Sequence, residues 1–177
     1  PSPSYSASVA ASRAAATGAS ARLITSEAYE EYCVGLLLEQ PATWSEVYGI
    51  LGEGDFAGTE TRALFSALLR AHRSDPALDM RVFLQALPMP LQSAATRART
   101  RATELELEEG DVLTKAISRV AFVIKRMRLK EEMAELDYLE REATGAGDLD
   151  AARGLLRRSQ ELHLQRRALD AASGLQG

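Results

Sequence analysis

The sequence predicts an all-α protein: a small multi-helix bundle, a long connecting helix and a C-terminal helical hairpin. Three observations predict it. Apolar residues recur at helical spacing through residues 23–107, between stops marked by Pro and Gly. β-branched residues are scarce, and no alternating run is bounded by hairpin dipeptides, so no strand pattern competes. Between Gly110 and Gly145 there is neither glycine nor proline. That stretch is long enough for one helix of roughly 50 Å.

The elements follow in order. Residues 1–22, from Pro1-Ser2-Pro3-Ser4 to Ala21-Arg22, are mostly small, with almost no large apolar side chains and only Arg13 and Arg22 charged. They cannot bury enough surface to offset the entropy of ordering, so they read as a flexible tether. A cut targeting segment would need a hydrophobic region that is missing here. Pro1 in place of an initiating methionine leads us to expect a piece of a longer chain. Ser26, followed by Glu27, Glu30 and Glu31, predicts a helix start with carboxylates on its N-terminal turn. Ala28, Tyr32, Leu36 and Leu37 continue that helix, and Pro41 stops it. Thr43-Trp44-Ser45-Glu46 reads as a capping box ahead of a short helix that packs Trp44, Val47 and Leu51. Thr59 leads into a helix carrying Leu64, Phe65, Leu68 and Leu69, broken by Asp75-Pro76. Asp79 caps another with Val82, Phe83 and Leu87, closed by Pro88 and Pro90. Residues 91–107 are rich in Ala, Thr and Arg and read as helix. The whole of 23–110 is the predicted bundle subdomain.

Leu113, Ile117, Val120, Ile124 and Met127 are spaced four, three, four, three. That stripe lays the connecting part of the long helix, 111–129, on the bundle. It breaks at Lys130 and Glu131, the hinge candidates, and resumes on a shifted face as Leu129, Met133, Leu136 and Leu139. Thr144–Asp148 is a turn, with Gly145 as C-terminal cap and Asp148 as N-terminal cap. A last helix from Leu149 to Ala172 carries the stripe Ala152, Leu155, Ser159, Leu162, Arg166 and Leu169. Residues 130–172 therefore form a hairpin subdomain, with 173–177 as a tail. Its apolar seam is too thin to stand alone in water, so it is expected to need a partner or its anchorage through the long helix. Variable hairpin orientation and a hairpin-mediated dimer in crystals are expectations of the same kind.

Charge is unevenly distributed. The chain holds 21 basic and 25 acidic residues, a net of −4. Residues 112–130 carry six basic groups and no acid, whereas 131–142 carry six acids against Arg141 alone. Solvated helix faces explain this most simply; an electrostatically oriented interface is the sharper reading. The acidic balance argues against a surface devoted to nucleic acid. Arg97, Arg99 and Arg101 spread over about 200° of a helix, so no strong direct nucleic-acid binding is expected.

No chemistry of the usual kinds is visible. Cys33, His72 and His163 are too few for a four-ligand zinc site within one chain, and neither metal nor cofactor is predicted. There is no glycine-rich phosphate loop and no supportable Ser/His/Asp set. A small helical enzyme would need a buried pair of perturbed ionisable groups, and the sequence offers none. His72 reads as a surface residue at a helix end, His163 as a surface or seam residue, and Cys33 as a small buried hydrophobe. No apolar run is long enough for a membrane span.

A family resemblance is carried by three runs: Tyr32-Cys-Val-Gly-Leu-Leu-Leu-Glu-Gln-Pro41, then Asp55-Phe56, then Thr61-Arg-Ala-Leu-Phe-Ser-Ala-Leu-Leu69. In order and spacing, residues 23–172 resemble the C-terminal helicase-binding domain of bacterial replicative DNA primase. The N-terminal domain of the hexameric replicative helicase has a similar texture and stands as the alternative. The resemblance implies a non-enzymatic docking module in the bacterial cytoplasm, whose hairpin meets the N-terminal collar of the helicase ring. It also implies a parent chain that makes primers with parts absent here. On the hairpin, Tyr138, Leu139, Leu155, Arg158, Leu162 and Arg166 are the helicase-binding candidates. Seam burial competes as an explanation for each leucine.

Overall fold

The computed structural model describes residues 25–104 and 111–174. The expected tether, the residues Leu105 and Leu107, the side chain of Leu113 and the last three residues of the tail lie outside them. Seven α-helices are present among the described residues: α1 (Ser26–Glu39), α2 (Trp44–Tyr48), α3 (Thr59–Ser74), α4 (Met80–Ala86), α5 (Met89–Glu104), α6 (Asp111–Gly145) and α7 (Leu149–Ala172). Single 3₁₀ turns at Pro41–Thr43 and Glu53–Asp55 join the first three, and no strand occurs among the described residues.

The first helix is capped by Thr25, whose side chain accepts from the Ala28 amide. Only Glu27 lies in its first turn. Glu30 and Glu31, expected to serve that turn, have other partners. Glu30 is fully buried. Its carboxylate accepts from the Ala57 and Gly58 amides and the Thr61 hydroxyl, each at 2.9 Å. The N-terminus of α3 has Gly58 as its cap residue and no side chain of its own to serve it. A carboxylate from α1 fills that role, satisfying free donors and meeting the positive end of the helix dipole. Glu31 accepts from Arg97 and Arg101, one turn apart on α5. Arg97 also bonds Glu60, and Arg99 bonds Glu39. The three arginines therefore point at carboxylates of α1 and α3.

Helices α1 and α5 form the most extensive pairing in the bundle. Small residues permit it: Ala94, Ala95, Ala98 and Ala102 are buried along α5. A Cβ on Gly35 would lie 2.0 Å from the Ala98 carbonyl oxygen, so the backbones touch there. Around this pair lies a core containing Leu37, Trp44, Phe56, Leu64, Phe65 and Leu68, all essentially inaccessible. The Trp44 indole donates to the Leu37 carbonyl at 2.7 Å. Cys33 is fully buried, as expected, and burial with the nearby Glu30 pushes its thiol up to about 12.

Four local readings need correction. Thr43 does not cap α2; its hydroxyl donates back to the Gln40 carbonyl, because the 3₁₀ turn after Pro41 already occupies that backbone. Val82 projects into solvent at 58% exposure, since α4 is a short elbow that buries only Phe83. Gly145 ends inside α6; the left-handed residue is Gly147, with φ 78°. His72 is not a simple surface residue. Its ring stands edge-on to Trp44, with centroids 4.1 Å apart, and beside Tyr48 at 5.6 Å. The His72 Nδ1 and the Tyr48 hydroxyl are both buried without a protein partner.

The long helix runs unbroken from Asp111 to Gly145. Ile117, Val120, Ala121 and Ile124 are buried in the bundle core. Leu129 and Met133 are buried in a second cluster with Leu162, with Leu136 and Leu169 packed at its edge. At about 100° per residue, the second face lies about 130° around the helix from the first. The expected change of face is therefore present, but it is complete by Leu129. Lys130 and Glu131, the hinge candidates, are exposed residues within continuous helix, and Glu131 is bridged to Arg128 at 3.4 Å.

Candidate functional site

Two consecutive side chains mark the change of face on α6. The Lys125 ammonium donates to both carboxylate oxygens of Asp55 at 2.9 Å. Asp55 in turn accepts from the Gly52 amide, so Lys125 holds the loop before α3 against the long helix. Arg126 faces the other way and pairs with Asp170 near the end of α7 at 3.4 Å. Lys125 thus ties the helix to the bundle by two hydrogen bonds, whereas Arg126 makes only a charge approach to the hairpin, since the buried Asp170 Oδ1 has no hydrogen-bond partner among the described residues.

The hairpin is antiparallel, turned by Thr144–Asp148. Asp148 caps α7 as expected, accepting from the Ala151 amide at 3.0 Å. Down its length, Arg158 meets Glu132 at 3.1 Å, and Asp170 lies between Arg126 and Arg166. The α7 stripe expected from spacing forms the seam: Ala152, Ser159 and Leu162 are buried, and Leu155, Arg166 and Leu169 are half-buried. On α6 the line runs Leu129, Met133, Leu136, with half-buried Glu140 and Ala143 continuing it. Leu139 therefore leaves the seam, at 37% exposure, because helical spacing returns to the seam at residue 140.

The six binding candidates separate accordingly. Leu162 is completely buried and is a seam residue; it offers no surface to a partner. Leu155 and Arg166 are half-buried along the same line. Arg158 is exposed and engaged with Glu132 and Glu161; those bonds, Glu132 first, raise its guanidinium pKa above the ordinary value. Leu139 and Tyr138 are exposed, Tyr138 at 65%. By spacing, Tyr138 falls on the back of α6, away from the seam and from Leu139. The candidates do not converge on one patch.

Sequence reasoning missed the largest exposed apolar side chains on α7, which are Leu149, Leu156 and Leu164. Their signal was available: Leu149 and Leu156 are seven residues apart and off the seam stripe. Among the described residues, no group of three or more His, Cys, Asp or Glu is arranged to hold a metal ion, and no helix is long and apolar enough to cross a membrane. What the hairpin presents is a thin seam flanked by sorted charge and isolated large apolar side chains. Compared with known protein families, with curated proteins and with solved structures, the chain matches none.

Proposed function

We propose that this chain is a protein-docking module, the helicase-binding end of a bacterial DNA primase, acting in the cytoplasm. The observation that carries the docking reading is the asymmetry of α6. One face of its first half, Ile117, Val120, Ala121 and Ile124, is buried in a well-filled core, and its second half supports a hairpin whose closed cluster is only Leu129, Met133 and Leu162. An element that buries so little of itself, held out on a rigid helix, gains most by covering its remaining apolar surface with a partner. The identity of that partner, a hexameric replicative helicase, comes from the sequence resemblance. This reading requires no cofactor and no catalysis by this segment.

The test is co-elution of the chain with the N-terminal domain of the same organism's replicative helicase on gel filtration. A complex is expected at low and moderate salt. A variant ending at Leu129 should lose it and keep a cooperatively folded bundle. No complex under any of these conditions would sink the primase reading. Self-association of the chain into rings would favour the alternative, the helicase's own N-terminal domain.

A further inference from the structure

The long helix has one polar attachment to the bundle. Among the described residues, the pair Lys125–Asp55 is the only hydrogen-bonded or ionic contact between α6 and the bundle. The rest of the seat is apolar: Ile117, Val120, Ala121 and Ile124 lie against the core. That seat is short. It spans about 10 Å of a helix of about 50 Å, and about 100° of its circumference. Burial of this kind is non-directional, so it holds the helix on the bundle without fixing its roll. A small change at the seat is magnified at the tip. From Lys125 to Gly145 is about 30 Å, so a tilt of about 10° carries the tip about 5 Å.

Lys125 is placed to oppose such motion. It lies about 90° round the helix from the centre of the apolar face, so its bonds pull along the circumference and resist roll. Its acceptor is itself held. Asp55, with 8% of its side chain exposed, accepts from the Gly52 amide at 2.8 Å. The next residue, Phe56, is fully buried, and its carbonyl accepts from Arg62 of α3. The Ala57 and Gly58 amides donate to Glu30 of α1. The loop is thus fastened to two helices and offers both carboxylate oxygens to a third. We infer that Lys125–Asp55 is an orientation lock. Closed, it fixes the roll and tilt of α6, and with them the direction in which the bundle presents the hairpin. Opened, it lets the hairpin swing on an intact bundle. A partly buried ion pair suits this task, because its geometry specifies one arrangement even where its net contribution to stability is small. The pivot therefore lies at the last turn that touches the bundle, and not at Lys130 and Glu131, which sit beyond it in continuous helix.

The experiment places spin labels on the full chain at Thr96→Cys and Ala146→Cys, both exposed, and reads their separation by double electron–electron resonance. Cys33 is fully buried and stays unlabelled. With Lys125 and Asp55 in place, the distance distribution should be single and narrow. Lys125→Met should broaden it about twofold or more, as a released rigid-body motion does. That change leaves the Asp55 carboxylate bare, so the double variant D55N/K125M is measured beside it. The double variant removes both charges and keeps an oxygen for the Gly52 amide. It should broaden the distribution as much, with cooperative melting retained by circular dichroism. Arg128→Ala should leave the width unchanged, since among the described residues Arg128 pairs only with Glu131 of its own helix. The inference is overturned if both Lys125 variants keep the narrow distribution, if the distribution is already broad with the pair in place, or if Arg128→Ala broadens it equally. It is also overturned if the double variant loses cooperative melting, since the pair then holds the bundle together and does not aim the hairpin. No partner is present in this measurement, so it and the helicase complex stand or fall separately.

Discussion

The bundle and the hairpin share one helix and are held together by different means. In the bundle, large side chains from several helices meet at a filled centre: Trp44, Phe56, Phe65, Leu37, Leu64 and Leu68 are essentially inaccessible. Its one fully buried charge, Glu30, is satisfied by two amides and two hydroxyls. In the hairpin, only three large apolar side chains are buried in the seam, and most cross-helix polar contacts lie at the surface. Exposed ion pairs of that kind contribute little. Burial in several directions at once makes a region self-sufficient; burial along a single line leaves it dependent on whatever covers the rest.

Breaking the bundle should give the largest effects. Trp44→Ala removes a fully buried ring and orphans the Leu37 carbonyl. We expect a loss of about 3–5 kcal/mol in chemical denaturation. Gly35→Ala drives a methyl against the Ala98 carbonyl and should cost about 3 kcal/mol, because a helix backbone cannot give way as a side chain would. If Gly35→Ala were neutral, the close α1–α5 contact would be wrong.

The same test on the hairpin should read differently. Leu162→Ala should cost about 2 kcal/mol, and amide exchange should show the loss in residues 130–172 with the bundle amides unaffected. Uniform loss of protection would mean that the two regions unfold as one.

Alkaline pH should weaken the bundle selectively. Burial raises the Cys33 thiol from 9.0 and the Tyr32 hydroxyl from 10.0, each to about 12. Between about pH 9 and 12 the unfolded chain releases these protons while the folded one keeps them, so stability falls as pH rises through that window. Cys33→Val should flatten the fall, measured as denaturation midpoint against pH. At the low end of the scale, Arg158→Ala should leave the melting temperature unchanged, because the Arg158 pairs are open to water.

Much of this architecture was legible one element at a time. Asp148 as a cap and Leu149–Ala172 as a helix needed only local chemistry: a carboxylate able to accept from Ala151, then an uninterrupted helical run. The seam residues on α7 were legible because one stripe faces one neighbour. Leu139 was misplaced because a line of leucines looks like a seam until the partner helix fixes which turn meets it. Thr43 and His72 were misread because each is governed by a neighbour outside its own helix: the turn after Pro41, and the Trp44 ring.

By itself the sequence determined the helical class, the helix stops, the shared long helix and the change of face along it. These depend on period, on Pro and Gly, and on short-range capping. Only the tertiary structure decided that Glu30 caps a helix it does not belong to and that the α5 arginines are held by carboxylates of α1 and α3. It also decided that Leu162 is interior while Leu149, Leu156 and Leu164 are not. The physical reason is the same in each case. A charged or apolar side chain has several acceptable environments, and which one it occupies depends on residues far away in the chain.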